Sequence, residues 1–316
     1  MQKLYKDFRE NTEFIDKILL LLIISIPFLL ATSIFLADLI SSIAGIILIY
    51  IFLSKKNYLF KEIKVEISFM VIFYIIVLTS LLFTEYFKNS FLASFFYFRY
   101  FLLSLSIYYL LKKYDFFITI FSYSLIFTIL VILMDALIQY FYGSNLFGYD
   151  WPDRYSLDPF KRITGFFNEE KKLGSYLVRF LPLALAVIFW NGKKWSDKLA
   201  IGLLLFSGSV IFVTTERTAL FLFFTIIIVY FPISQTKIRF MSVLILIFIL
   251  LFSTHDKIKF LLTKFTIEQI QDYNANTSDK NNGKSSLRFY SAEHENLAYT
   301  SIKIFEENFL FGSGVK

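Results

Sequence analysis

Five arginines and one glutamate carry most of the chemistry this sequence offers. Arg217 stands in Thr214-Thr215-Glu216-Arg217-Thr218, a very short polar turn between two apolar runs. Arg162 precedes Thr164-Gly165-Phe166-Phe167-Asn168, and Arg288 lies in Ser286-Leu287-Arg288-Phe289. Arg99 and Arg179 fall inside apolar runs. A guanidinium stays charged at any physiological pH and matches phosphate oxygens two at a time. Three arginines on separate segments, Arg162, Arg217 and Arg288, therefore suit a phosphate-bearing ligand. Each also has a plainer reading. Arg217 fits an interfacial side chain snorkelling toward headgroups, and Arg162 and Arg288 fit solvated side chains. Arg99 and Arg179, charged at membrane depth, are expected to face the bundle interior as functional groups. Their plainer reading is pairing with a buried carboxylate such as Asp135, or snorkelling.

Other chemistries are thin. The chain has no cysteine, so disulfides, thiolate-bound zinc and thiol catalysis are excluded. Its two histidines, His255 and His294, cannot make a metal cluster alone. His255 reads as interfacial and His294 as part of a solvated helix face. Glu169 and Glu170 precede the apolar run that starts at Leu173, where acidic side chains complement a helix dipole.

The elements that position these residues are membrane helices. The chain is 57% hydrophobic and 20% aromatic, with 18% charged residues and a mean hydropathy of +0.62. The charges are bunched between apolar runs of roughly 20 residues, the length that crosses hydrocarbon. Helices alone satisfy their backbone within such isolated runs. The sequence predicts an all-α polytopic membrane protein with nine spans, near 18–36, 38–53, 66–85, 91–111, 115–141, 173–190, 199–215, 219–234 and 240–254. A transmembrane bundle over 1–254, interrupted by an outer segment at 142–172, precedes a large outer loop at 255–316. Within that loop 274–286 reads as a polar stretch and 287–308 as a helix with Leu287, Tyr290, Leu297 and Ile304 on one face.

Lysine and arginine set the orientation. With the N-terminus inside, the inner segments carry Lys3, Lys6, Arg9, Lys17, Lys55, Lys56, Lys61, Lys64, Lys112, Lys113, Lys193, Lys194, Lys198, Lys237 and Arg239. The short outer turns carry only Lys88 and Arg217. This obeys the positive-inside rule, and it assigns the net charge of +7 to topology rather than to nucleic acid. The first apolar run lacks a cleavage site of the secretory kind. A bacterial inner membrane, with the long loops periplasmic, is the expected location.

The motifs also resemble a family. Arg162-Ile-Thr-Gly-Phe-Phe-Asn-Glu-Glu-Lys-Lys-Leu-Gly-Ser-Tyr-Leu177 is similar to a signature of the O-antigen ligase/polymerase superfamily. Thr215-Glu216-Arg217-Thr218-Ala219 resembles its short outer turn with an essential arginine. Arg288 and the later Phe305-Glu-Glu-Asn-Phe-Leu-Phe-Gly-Ser-Gly-Val-Lys316 resemble its large periplasmic loop. The resemblance implies a membrane glycosyltransferase of the GT-C type, working without a metal or organic cofactor. Such enzymes transfer a glycan from an undecaprenyl-diphosphate carrier to an acceptor, which is lipid A core for ligases and another carrier-linked unit for polymerases. On this reading Arg217 and Arg288 are catalytic, stabilising the diphosphate leaving group. Arg162, Arg179, Arg99 and Glu216 bind substrate. The family's histidine base lies further beyond the arginine matching Arg288 than this chain extends, so the chain is expected to be shortened and to lack its base. From another class, a transporter or flippase for lipid-linked or anionic solutes would use Arg99, Arg179 and Asp135 along its path, but neither inverted repeats nor interrupted helices are legible.

Overall fold

The structure is a computed structural model, described over residues 8, 10, 12–55, 62–84, 87–150, 163–168, 170, 172–190, 196–230, 292–307 and 309. Among these residues its regular structure is helical, apart from one isolated bridge between Ser144 and Asp150. Seven helical segments among them are long and apolar enough to cross a membrane, one of them Phe87–Lys113 counted through an internal turn. The expected eighth span appears as a shorter apolar helix, Thr218–Tyr230. The expected ninth, 240–254, lies outside the described residues. So do Arg162, Arg288 and His255.

The chain forms two compact units, Met1–Ile26 with Phe35–Phe117 and Gln269–Lys316, and Pro27–Ile34 with Ile118–Glu268. The division at Phe117/Ile118 falls inside the stretch that the sequence reads as a single bundle.

In the first unit, Phe14–Thr32 (α1, whose last residues belong to the second unit), Ile34–Lys55 (α2) and Lys64–Thr79 (α3) are followed by Phe87–Phe95 (α4) and Phe98–Lys113 (α5). The sequence predicts one span over 91–111. The structure divides it at Phe96-Tyr97, where the amides of Tyr97, Arg99 and Tyr100 reach back three residues instead of four. That tighter ladder is the geometry of a short 3₁₀ turn. The direction of each helix follows from its contacts. Asp16 at the start of α1 meets Lys113 at the end of α5, and Glu62, just before α3, meets Lys112. Asp38 in the second turn of α2 meets Arg99 at the start of α5, and a Cβ on Gly45 would come within 2.9 Å of Leu102 Cβ. Thus α2 and α5 run parallel, and α1 and α3 run against them. α3 buries no residue; Phe73 and Tyr74 pack against Phe101, while Val65, Phe69, Val71, Ile72, Ile75 and Ile76 are exposed, as a lipid-facing helix allows. Ala292–Glu307 (numbered last, α10) is amphipathic, with Leu297, Ile302, Ile304 and Phe305 exposed.

The second unit is built from Phe117–Tyr142 (α6), Leu173–Trp190 (α7), Ser196–Thr214 (α8) and Arg217–Tyr230 (α9). Its core includes Leu125, Ile129 and Ile132 of α6, Leu177, Leu181 and Ala184 of α7, Leu204 and Ile211 of α8, and Phe223 of α9. These four helices also alternate in direction. The start of α7 packs beside the end of α8, and Tyr230 at the end of α9 donates to Asp197 Oδ1 at the start of α8, 2.7 Å away. Gly208 of α8 lets the ring of Phe223 sit where a Cβ would come within 2.5 Å of it.

Candidate functional site

One end of the second unit gathers the two motif segments 163–177 and 214–219. α8 ends at Thr214, and Thr215 takes φ 57°, a left-handed conformation that closes the helix. A β-branched residue pays steric strain there. The turn is so tight that α9 begins two residues later, at Arg217. Between them Glu216 is 5% exposed, with both carboxylate oxygens engaged. Oε1 accepts the Gly174 amide at 2.8 Å, and Oε2 accepts the Ser175 amide at 2.9 Å and the Ser175 hydroxyl at 2.8 Å. A carboxylate on the free amides of a helix start satisfies two orphan donors and complements the dipole. Glu216 therefore does for α7 what the sequence expects of Glu170 and of Glu169, which lies outside the described residues. Glu170 instead pairs with Lys172, and both are exposed.

Gly174 makes this approach possible. A Cβ there would lie 2.9 Å from Ala219 Cβ and 3.0 Å from Glu216 Cδ and Thr214 Oγ1. The Leu-Gly-Ser and Thr-Glu-Arg motifs are thus two halves of one packing contact. Arg217 is the first residue of α9, and its side chain is not among those described. Its position puts it at a helix start, where free amides and the dipole already favour an anion.

The Thr-Gly-Phe-Phe segment is anchored next to this contact by residues that the sequence reading did not place there. Gln139, fully buried near the end of α6, accepts the amides of Thr164 at 3.0 Å and Gly165 at 2.8 Å. Asn145 donates to the Gly165 carbonyl at 2.9 Å and to Asp135 Oδ2 at 3.2 Å, and its own oxygen accepts the amides of Phe147 and Tyr149. Gly165 has φ 54°, and a Cβ there would crowd Asp135 Oδ2 at 3.3 Å. Asp135, fully buried, also accepts the Leu146 amide at 3.0 Å. Its partners are amides, and the expected pairing of Asp135 with an intramembrane arginine is not what forms. The spacing Asp135–Gln139 on an otherwise apolar run is the signal that was available in the sequence.

The intramembrane arginines take other places. Arg179, in the second turn of α7, is exposed rather than facing the interior, because the inner side of α7 is taken by Leu177, Val178 and Leu181. Arg99 donates through Nη2 to Asp38 Oδ2 at 2.8 Å and to the Tyr100 hydroxyl at 2.9 Å. His294 lies on α10, and its side chain is not among those described.

A second buried polar centre sits in the first unit. Asp16, fully buried, accepts from Lys113 Nζ at 2.6 Å, from the Tyr114 hydroxyl at 2.6 Å and from the Tyr109 hydroxyl at 3.2 Å. Burial, and then the bond to Asp16, push the Tyr114 hydroxyl well above its ordinary pKa, so it remains a donor. Nearby the exposed Glu62 is held below the usual carboxylate range, first by its hydrogen bond to Lys112. Among the described residues no cluster of three or more His, Asp or Glu is arranged to hold a metal ion.

Comparison with protein-family models, with curated proteins and with solved structures finds no match to this chain.

Proposed function

We propose that the protein is a membrane glycosyltransferase of the O-antigen ligase type, transferring a glycan from an undecaprenyl-diphosphate carrier at the outer face of a bacterial inner membrane. The observation that carries this reading is the Glu216 clamp. The two motifs that suggest the family lie 42 residues apart at Gly174 and Glu216, yet they meet through three hydrogen bonds and a glycine contact.

On this reading, Arg217 holds the diphosphate together with the start of α9, and Arg162 supplies a further guanidinium ahead of the anchored Gly165 turn. Arg288 is assigned the diphosphate on sequence grounds alone. The diphosphate leaves as an anion, and fixed cations in a site of low dielectric stabilise the charge it gains as the glycosidic bond breaks. Glu216 and Gln139 act as positioning residues, each by fixing a backbone segment. Arg179 and Arg99 stand outside this arrangement and carry no step of the proposed transfer. The N-terminus is proposed to be cytoplasmic, which places this end of the second unit outside and Lys198 inside.

Binding tests the assignment. The wild-type protein should hold undecaprenyl diphosphate more tightly than undecaprenyl monophosphate, because a bidentate guanidinium gains from the second phosphate. Arg217→Ala should erase that preference. Equal binding of the two lipids by the wild type would remove the basis for the assignment. Solute flux in proteoliposomes, independent of any glycan carrier, would favour the transporter reading instead.

A further inference from the structure

We propose that a cavity beside Arg99, in the first unit, holds the phosphodiester headgroup of a membrane phospholipid, and a zwitterionic one in preference to an anionic one. The proposal rests on observations other than those behind the diphosphate site.

The cavity measures about 590 Å³ and opens where α4 gives way to α5. Asn89, Leu92, Ala93, Phe96 and Tyr97 line it together with Arg99. These residues recur every three or four positions and so share one face along α4 and α5. Arg99 is incompletely satisfied. Nη2 serves Asp38 and Tyr100, but Nε is buried and has no acceptor among the described residues. A buried donor on a charged group calls for an acceptor. A phosphate oxygen in the cavity supplies one when the guanidinium, whose side chain is 23% exposed, turns Nε toward it, and a guanidinium–phosphate hydrogen bond is among the stronger kinds. Asn89 offers an amide on the same wall, and the start of α5 adds a favourable dipole. The remaining lining is apolar and aromatic, which suits a glycerol backbone and the first carbons of an acyl chain.

Depth agrees with a headgroup. Asp38 is four residues into α2, about 6 Å from its start, so the ion pair lies close to one end of its helix bundle.

Asp38 decides between headgroups. It already neutralises Arg99, at 2.8 Å, so the single phosphate charge of an anionic headgroup meets no uncompensated cation, whereas a zwitterion brings its own. Its carboxylate is 36% exposed and keeps lone pairs free for an ammonium group. Asp38 does not line the cavity itself, but it is bonded to Arg99, so an ammonium joined to a phosphate on Arg99, as in phosphatidylethanolamine, reaches its exposed side.

Native mass spectrometry of the full chain, released from detergent, tests this with three probes: phosphatidylethanolamine, phosphatidylglycerol and inorganic phosphate. The wild type should retain phosphatidylethanolamine more tightly than phosphatidylglycerol, and millimolar inorganic phosphate should not displace it. Arg99→Gln should weaken phosphatidylethanolamine binding by about tenfold, the effect of losing a hydrogen bond to a charged group. Ala93→Phe, which fills the cavity while leaving Arg99 and Asp38 in place, should do the same with an unchanged far-UV spectrum. If Arg99→Gln fails to fold, Ala93→Phe decides alone. Unchanged lipid retention in the folded variants, a preference for phosphatidylglycerol, or displacement by inorganic phosphate would each overturn the proposal.

Discussion

Glu216 joins two segments through one side chain, and its neighbours show how sharply that depends on residue type. Glu216→Gln keeps the size but provides only one acceptor oxygen. One of the two helix-start amides is then left unpaired, and stability should fall by about 1–3 kcal/mol, read as a lower midpoint of thermal unfolding in detergent. Thr215 presents the opposite case. Its φ of 57° strains a β-branched side chain, so Thr215→Gly should raise that midpoint by relieving about 1 kcal/mol. No midpoint change would mean that the turn is not held in this conformation. The sequence made Arg217 conspicuous because it is charged beside apolar runs, whereas Glu216 looked like its companion. A carboxylate that reaches back 42 positions leaves no local signature. Gln139 and Asn145 were hidden for the same reason, since their partners are backbone amides of segments distant in the chain.

Between elements, small and paired residues set the fit. Gly174→Ala would force a methyl to within 3.0 Å of three atoms on the turn and α9, an overpacking cost of about 1–3 kcal/mol. The same variant should weaken function more than a lipid-facing glycine substitution, because it pushes the two motif segments apart. In the first unit, Lys113→Met leaves Asp16 buried without its cation, and a loss of about 3–5 kcal/mol is expected. Chemical denaturation of both proteins in the same detergent measures it. Tyr114 gives this cluster a pH dependence. Its hydroxyl is raised above its unfolded value, so its contribution is complete below an ordinary tyrosine pKa and disappears only as pH climbs through the raised one. Stability in the neutral range should therefore not respond to it. Lys113 and Asp16 were visible in the sequence only as charges at the ends of spans. Their pairing depends on α1 and α5 lying side by side, which hydropathy does not report.

At the scale of the molecule, the alternation of apolar runs and lysine clusters was the most legible feature. Hydrocarbon thickness fixes the length of a span, and the contacts within each unit confirm that successive helices reverse direction. In the first unit, Lys17, Lys64, Lys112 and Lys113 fall at one end of their bundle, as the charge pattern implies. The turn at Phe96-Tyr97 was not legible, because no proline or glycine marks it and its cause lies in packing. The division into two units was hidden too, since both are equally apolar. A chain without cysteine is ready for labelling with an impermeant maleimide. Tyr142→Cys should react in spheroplasts, and Lys198→Cys only after the membrane is opened. The reverse pattern would invert the proposed orientation. With the expected pattern, the motif ends and the Glu216 clamp lie on the side where the proposal has carrier-linked glycans assembled.

That assembly reaction is the centre of the account, and transfer itself tests it. Membranes carrying the full-length protein are supplied with a labelled glycan on undecaprenyl diphosphate, and transfer to acceptor is followed for the wild type, Arg217→Lys and Arg217→Ala. The account predicts transfer by the wild type and a loss of about a hundredfold or more in Arg217→Ala, the scale of removing a group that stabilises developing charge. Partial activity is predicted for Arg217→Lys, with all three proteins equally folded. Undiminished transfer by folded Arg217→Ala would contradict it.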